Sequence, residues 1–171
     1  MQHLVLTVIG DDRPGLVSSL ADVVATHGGN WERSQLARLE GKFAGIVVVE
    51  VAKDHADGLL AAARALQDLD VSAHSAGAAA SDDSATRLTI GVLGNDRPGI
   101  VRELSSVLGS HGLNIESITT DTREAPMAGG LLFEADFDVT VPADADLVAV
   151  RAELERLAAE LLVDIGIDSP T

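Results

Sequence analysis

Apolar side chains recur at every second position near the start of the chain, with Leu4, Leu6 and Val8 sharing one side of an extended segment that ends at Gly10. That period predicts a strand. Beyond it the spacing changes to three and four, through Leu16, Val17, Leu20, Val23 and Val24, and predicts an amphipathic helix. Asp12-Arg13-Pro14-Gly15 reads as the helix start, with Asp12 as the capping side chain and Pro14 in the first turn, where its missing N–H costs nothing. His27-Gly28 reads as its end, the glycine suited to a left-handed cap and the histidine to the negative end of the helix dipole. Two extended runs follow, over residues 30–39 and 43–51, joined by a turn at Glu40-Gly41-Lys42. A second helix is expected to carry Leu59, Ala63, Leu66 and Leu69 on one face, and residues 71–75 make a last short strand.

The whole plan is then repeated. At an offset of 84, identical residues stand at Leu4, Val8, Gly10, Asp12, Arg13, Pro14, Gly15, Val17, Leu20, Val23, His27, Gly28, Asn30 and Glu32 and at their counterparts in the second half. Leu88, Ile90 and Val92 form the matching strand, and Ile100, Val101, Leu104, Val107 and Leu108 the matching helix face, again opened by Asp96-Arg97-Pro98-Gly99 and closed by His111-Gly112. Leu147, Val150, Leu154, Leu157 and Leu161 predict the second helix of this copy. The order strand, helix, strand, strand, helix, strand is the split βαβ of ferredoxin-like folds, so the expected class is α+β, with two antiparallel sheets each covered by helices on one face. The expected boundaries are residues 1–76, a small-residue linker at 77–86, and residues 87–171. The offset grows after the second hairpin begins, which marks residues 123–130 as an insertion specific to the second copy.

Charge removes one class of function. The 171 residues carry a formal net charge of -15, and the 12 Lys and Arg are scattered, so direct nucleic-acid binding is not expected. With 2% aromatic residues there are few stacking platforms for bases, and the core is expected to rest on Leu, Val, Ile and Ala. No cysteine is present, which removes disulfides and thiolate chemistry. No apolar run reaches the roughly 20 residues of a membrane span, and Met1-Gln2-His3 leads into a strand rather than a secretion signal; the cytoplasm is the expected location.

Catalytic chemistry is poorly represented. The 5 histidines lack metal-ligand spacing, no serine sits in a nucleophile elbow, and no glycine loop has the phosphate-cradling pattern, so neither an enzyme nor a metal or cofactor site is expected. The repeated loop is the exception. Free N–H groups at Gly15-Leu16 and Gly99-Ile100, at the positive end of a helix dipole, suit a carboxylate. Asp12 and Asp96 could accept from an ammonium, and the amides of Asn30 and Asn114 offer both donor and acceptor. Such a set suits an α-amino acid. The same residues also fit a second account, in which Asp-Arg-Pro-Gly is a capped turn and the asparagines are turn residues.

The pattern Asp-Arg-Pro-Gly-Leu/Ile-Val followed by His-Gly-x-Asn, within βαββαβ, resembles the ACT domain of amino-acid-responsive regulators, in both copies. The tandem arrangement, with the longer hairpin through Ala125-Pro126-Met127-Ala128-Gly129-Gly130, resembles the glycine cleavage system transcriptional repressor family. The resemblance implies sheets joined edge to edge and a ligand held between neighbouring domains. Its binding positions are Asp12, Gly15, Leu16 and Asn30, and Asp96, Gly99, Ile100 and Asn114. It further implies a glycine- or serine-like effector, a homodimer, and action through a protein partner, either a DNA-binding regulator or a metabolic enzyme. Some ACT domains carry a histidine two positions before the Asp of this loop; Gly10 and Gly94 stand there here. The alternative the resemblance leaves is a non-catalytic regulatory subunit or dimerisation module, since similar segments precede the catalytic domain of formyltetrahydrofolate deformylase.

Overall fold

A computed structural model of the chain describes residues 1–75, 86–125 and 129–168. The chain divides into two compact units, within Met1–Ala80 and Ser81–Thr171. The first contains β1 (Gln2–Asp11), α1 (Leu16–Thr26), β2 (Asn30–Leu39), β3 (Lys42–Val51), α2 (Ala56–Arg64) and β4 (Asp70–Ser75); the second contains β5 (Thr86–Asn95), α3 (Ile100–Ser110), β6 (Asn114–Glu124), β7 (Leu131–Val141), α4 (Leu147–Leu161) and β8 (Val163–Asp168). Both sheets are antiparallel, in the orders β2-β3-β1-β4 and β6-β7-β5-β8. Each unit is therefore the expected βαββαβ, with its first strand in the interior of the sheet. The predicted linker lies outside the described residues up to position 85, and Thr86 already belongs to β5; residues 126–128 of the insertion also lie outside them.

Period-two patterning sets the cores. Leu4, Leu6 and Val8 are buried against Leu16, Leu20 and Val24, and Val47, Val49 and Val51 complete the apolar face of the first sheet. The second core repeats this with Leu88, Ile90 and Val92 against Ile100, Leu104 and Leu108, and adds Phe133 and Phe137 from β7. Two expectations are corrected here. Leu66 and Leu69 are not on α2, which ends at Arg64; both lie beyond it, where Leu69 still reaches the core from the loop into β4. Val17 and Val101 share the helical period of the buried face but sit at its margin, 45% and 38% exposed.

The helix ends follow the glycines. After α1, Gly28 adopts φ 67°, with Gly28 N–H donating to Ala25 O at 3.0 Å and Gly29 N–H to Val24 O at 2.9 Å, and Gly112 at φ 73° repeats both bonds after α3. These are paired Schellman closures, which satisfy carbonyls the helix would otherwise leave open. The β2–β3 turn is tighter than the sequence pattern predicts. Lys42 is already in β3, and Glu40 and Gly41 both have positive φ, as a two-residue type I′ hairpin requires.

Candidate functional site

The Asp-Arg-Pro-Gly loops do not cap their helices as expected. Neither Asp12 nor Asp96 caps; the N-cap residues are Gly15 and Gly99, at φ 97° and 101°, with no side-chain cap hydrogen bond. Pro14 stands in the turn ahead of α1 rather than within its first turn. Left-handed backbone at an N-cap is cheap only for glycine, which explains the residue at both positions. The consequence is that the first N–H groups of α1 have neither an intrahelical acceptor nor a capping side chain. Leu16 and Ile100 point their side chains into the cores, so only their backbone is offered at the surface.

Each loop is anchored by one backbone bond, from Asp12 N–H to Gly41 O at 2.9 Å and from Asp96 N–H to Leu131 O at 2.8 Å. Around the first loop lies a recess of about 260 Å³, lined by Asp12, Arg13, Gly15, Leu16, Val17, Ser18 and Phe43. Arg38, from the far end of β2, approaches the Asp12 carboxylate at 3.5 Å, and Arg13 turns away to pair with Asp68 in the loop before β4. Ser18 and Ser19 turn their hydroxyls back to Gly15 O, each at 2.9 Å, and so leave the N–H side of the turn open. The recess thus joins uncapped donors, a carboxylate and an apolar wall of Val17 and Phe43. Val17 and Phe43 were not among the site residues expected from sequence, because Val17 shares the helical period of the buried residues and Phe43 lies in a strand, so neither stands out from the core pattern. Sites for drug-sized ligands run from about 300 Å³ upward, so this volume suits a smaller guest.

The asparagines are elsewhere. Asn30 faces Glu50, which faces His3, at the opposite end of the sheet from Asp11 and Lys42. Eight residue steps of strand separate His3 from Asp11, roughly 26 Å at about 3.3 Å each. Within one domain, then, Asp12, Gly15 and Leu16 come together and Asn30 does not join them; Asp96, Gly99, Ile100 and Asn114 divide in the same way. Asn114 donates to Glu116 at 2.8 Å, and Glu116, the extra residue of a bulge in β6, also accepts from Thr140 at 3.0 Å. These two hydrogen bonds hold the Glu116 carboxyl below the usual glutamate range, the one from Asn114 foremost.

Gly10 and Gly94 have a structural cause. A Cβ on Gly10 would lie 2.2 Å from Asp68 O, and one on Gly94 would lie 2.5 Å from Val163 Cγ1. The fourth strand of each sheet enters against these positions, and no side chain, histidine included, fits there. The repeated histidines also part company. His27 Nδ1 bonds to Val23 O at 2.8 Å, within its own helix end, whereas His111 Nε2 meets Glu153 of α4 at 2.5 Å. Both histidines are the C-cap residues of their helices, as expected, and His111 in addition joins α3 to α4.

A second recess, of about 240 Å³, lies between α4 and β8, where Leu154, Ala158, Val163, Ile165 and Ile167 form apolar walls under Arg151, Glu155 and Asp164. It lacks the uncapped backbone donors of the first. Among the described residues no helix is long and apolar enough to cross a membrane.

Comparison with known proteins agrees with this geometry. ACT-domain profiles match residues 2–75 and 88–159, one for each βαββαβ unit. The chain belongs to the ACT-domain family. This ACT protein is 24% identical over 162 residues to the glycine cleavage system transcriptional repressor of Escherichia coli K12, across 93% of its own length and 85% of the relative's. Its fold matches a crystal structure of an unknown protein from Galdieria sulphuraria with a TM-score of 0.84 and 32% identity, covering 99% of both chains. It also matches the fold of a "putative glycine cleavage system transcriptional repressor" crystal structure, with a TM-score of 0.69 and 18% identity, over 98% of this chain and 96% of that one. The similarity thus extends across both ACT domains of this chain.

Proposed function

We propose that this protein is an amino-acid-responsive regulator, which binds a small α-amino acid at the loop of its first domain and acts through a protein partner. The observation that carries this reading is the recess in front of α1, where uncapped backbone N–H groups and the Asp12 carboxylate border one small volume. The ligand carboxylate meets the N–H groups of Gly15 and Leu16, where the helix dipole favours negative charge. Its ammonium meets Asp12, displacing the loosely held Arg38. Glycine and serine are the first candidates, because the recess is small and Val17 and Phe43 leave little room for a long side chain. An asparagine that completes the site comes from another domain, since Asn30 lies at the far end of its own sheet; a homodimer supplies one.

The similarity to glycine cleavage repressors supports a role in transcription of that system. A net charge of -15 opposes contact with DNA phosphates, so the partner rather than this chain touches DNA. A pull-down that recovers a metabolic enzyme instead would favour the regulatory-subunit reading. The test is a thermal-shift screen over the proteinogenic amino acids. A ligand at a hundredfold excess over its Kd stabilises the folded state by about 2.7 kcal/mol, enough to raise the melting temperature by several degrees. Asn114→Ala or Asn30→Ala is expected to remove most of that shift and to leave the unliganded melting temperature in place; a shift that survives both would contradict the role of the asparagines. No shift from any amino acid at millimolar concentration would end the proposal and leave the Asp-Arg-Pro-Gly loop a structural turn only.

A further inference from the structure

Asn30 and Glu32 recur as Asn114 and Glu116, and in each repeat the glutamate is the extra residue of a β-bulge, between Trp31 and Arg33 or between Ile115 and Ser117. Their hydrogen bonds differ. In the second repeat the Asn114 side chain donates to Glu116 Oε1 at 2.8 Å, and Thr140, which faces Asn114 from β7, donates to the same oxygen at 3.0 Å. In the first repeat the residue facing Asn30 is Glu50, which offers a carboxylate where the other copy has a hydroxyl donor, and the Glu32 carboxylate lies 3.2 Å from His3 Nε2. His3 in turn stands where the second repeat has Arg87. Among the described residues, then, Glu116 holds its asparagine, while Glu32 is taken by a histidine.

A carboxylate only accepts, so the group that Asn114 turns toward Glu116 is its NH2, and Oδ1 is left on the other side of the amide. Asn114 is exposed, so that oxygen is offered at the surface as an acceptor, the complement of an ammonium. We propose that Glu116 is a positioning residue, which fixes the Asn114 amide with its carbonyl oxygen outward to take the ammonium of the amino acid, and that Asn30 has no such part. This rests on the reading of the Asp12 loop as an amino-acid site completed by an asparagine from another domain, and assigns that role to Asn114 of a second copy. Asp12 and Asn114 then give one ammonium two acceptors, a carboxylate and an amide oxygen. Freed from Glu116, the side chain regains roughly three staggered χ1 wells and two amide orientations, so the competent arrangement falls to about a third to a sixth of the population, and the apparent affinity falls with it.

The experiment is isothermal titration of the full chain with glycine and, separately, L-serine. Glu116→Ala is expected to weaken binding about three- to sixfold. Glu116→Gln keeps an oxygen that accepts from Asn114 and Thr140, and should bind within about twofold of the wild type. Glu32→Ala, the same change in the first repeat, should also bind as the wild type does. A Glu116→Ala protein with wild-type affinity overturns the proposal, as does a Glu116→Gln protein as weak as Glu116→Ala, or a Glu32→Ala protein that loses as much. If the wild type gives no heat with either amino acid, it is the binding reading that fails for these ligands, and the positioning is decided without ligand, from the side-chain amide resonances of the 15N-labelled chain. Asn114 NH2 shifts that follow a carboxylate titration in the wild type and cease to do so in Glu116→Gln support it; shifts unchanged by Glu116→Gln refute it.

Discussion

Gly10→Ala probes the packing that shapes the loop. Position 10 lies near the end of β1, which is hydrogen-bonded on both sides, to β3 and β4. An added Cβ would sit 2.2 Å from Asp68 O and 3.2 Å from Leu69 Cδ2, so the backbone before β4 must retreat by about 1 Å to restore van der Waals contact. Overpacking that forces backbone shifts costs typically about 1–3 kcal/mol, and the two ladders leave β1 no direction in which to yield. For a domain of this size each kcal/mol moves the melting temperature by about 4–8 °C, so a loss near 2 kcal/mol lowers it by roughly 8–16 °C. The only tryptophan, Trp31, packs against the first core, so its fluorescence in urea or on heating reports this domain. Gly91→Ala, in β5 of the second domain, is the control and is followed by circular dichroism, since Trp31 does not report that domain: its Cβ would meet Asp136 Oδ1 at an ordinary 3.6 Å, and alanine in a strand is neutral or mildly stabilising. If Gly10→Ala melts with the wild type, the close approach of β1 and the loop before β4 is wrong, and with it the reason no histidine stands at this position.

Three further outcomes are expected. Gly15→Ala introduces little steric conflict but must hold φ near 97°, and should cost about 1–2 kcal/mol in a denaturant titration; a neutral result would contradict the left-handed N-cap. The hydrogen bond from His111 holds the Glu153 carboxyl below its ordinary value of 4.5, with further help from the nearby positive charge of Arg156. A carboxylate with a lowered folded pKa adds stability that is complete above the unfolded value and is lost as pH falls through the folded one, so His111→Ala should flatten the loss of stability below about pH 4.5 and raise the Glu153 midpoint in a carboxyl NMR titration. Random duplex DNA at low salt should leave the purified protein unbound in fluorescence anisotropy, and tight binding there would overturn the reading of the charge.

The fold was legible because two independent periods agreed in both copies: every second residue in β1 and β5, and the three-four spacing of α1 and α3. Cap chemistry was less so. Asp12 is the type of residue that caps helices, but the glycine at position 15 lets the backbone turn left-handed and leaves the aspartate outside the helix. In α2 the apolar spacing ran on through Leu66 and Leu69, and it is the loop, not the helix, that delivers Leu69 to the core. For the candidate site, Asp12 and Gly15 were legible because they recur identically in both copies, and Leu16 because Ile100 replaces it conservatively. The asparagines matched the pattern equally well, yet strands of ten and eleven residues set them at the other end of their sheets.

The central claim is that the Asp12 loop holds an amino acid by its two charged ends. Isothermal titration of the wild type and of Asp12→Asn with whichever amino acid stabilises the protein most tests it directly. Asparagine keeps the shape and removes the charge that meets the ammonium, so the wild type should give saturable heat and the variant should lose at least about tenfold in affinity, the equivalent of about 1.4 kcal/mol. Equal affinity in the two proteins would contradict the account.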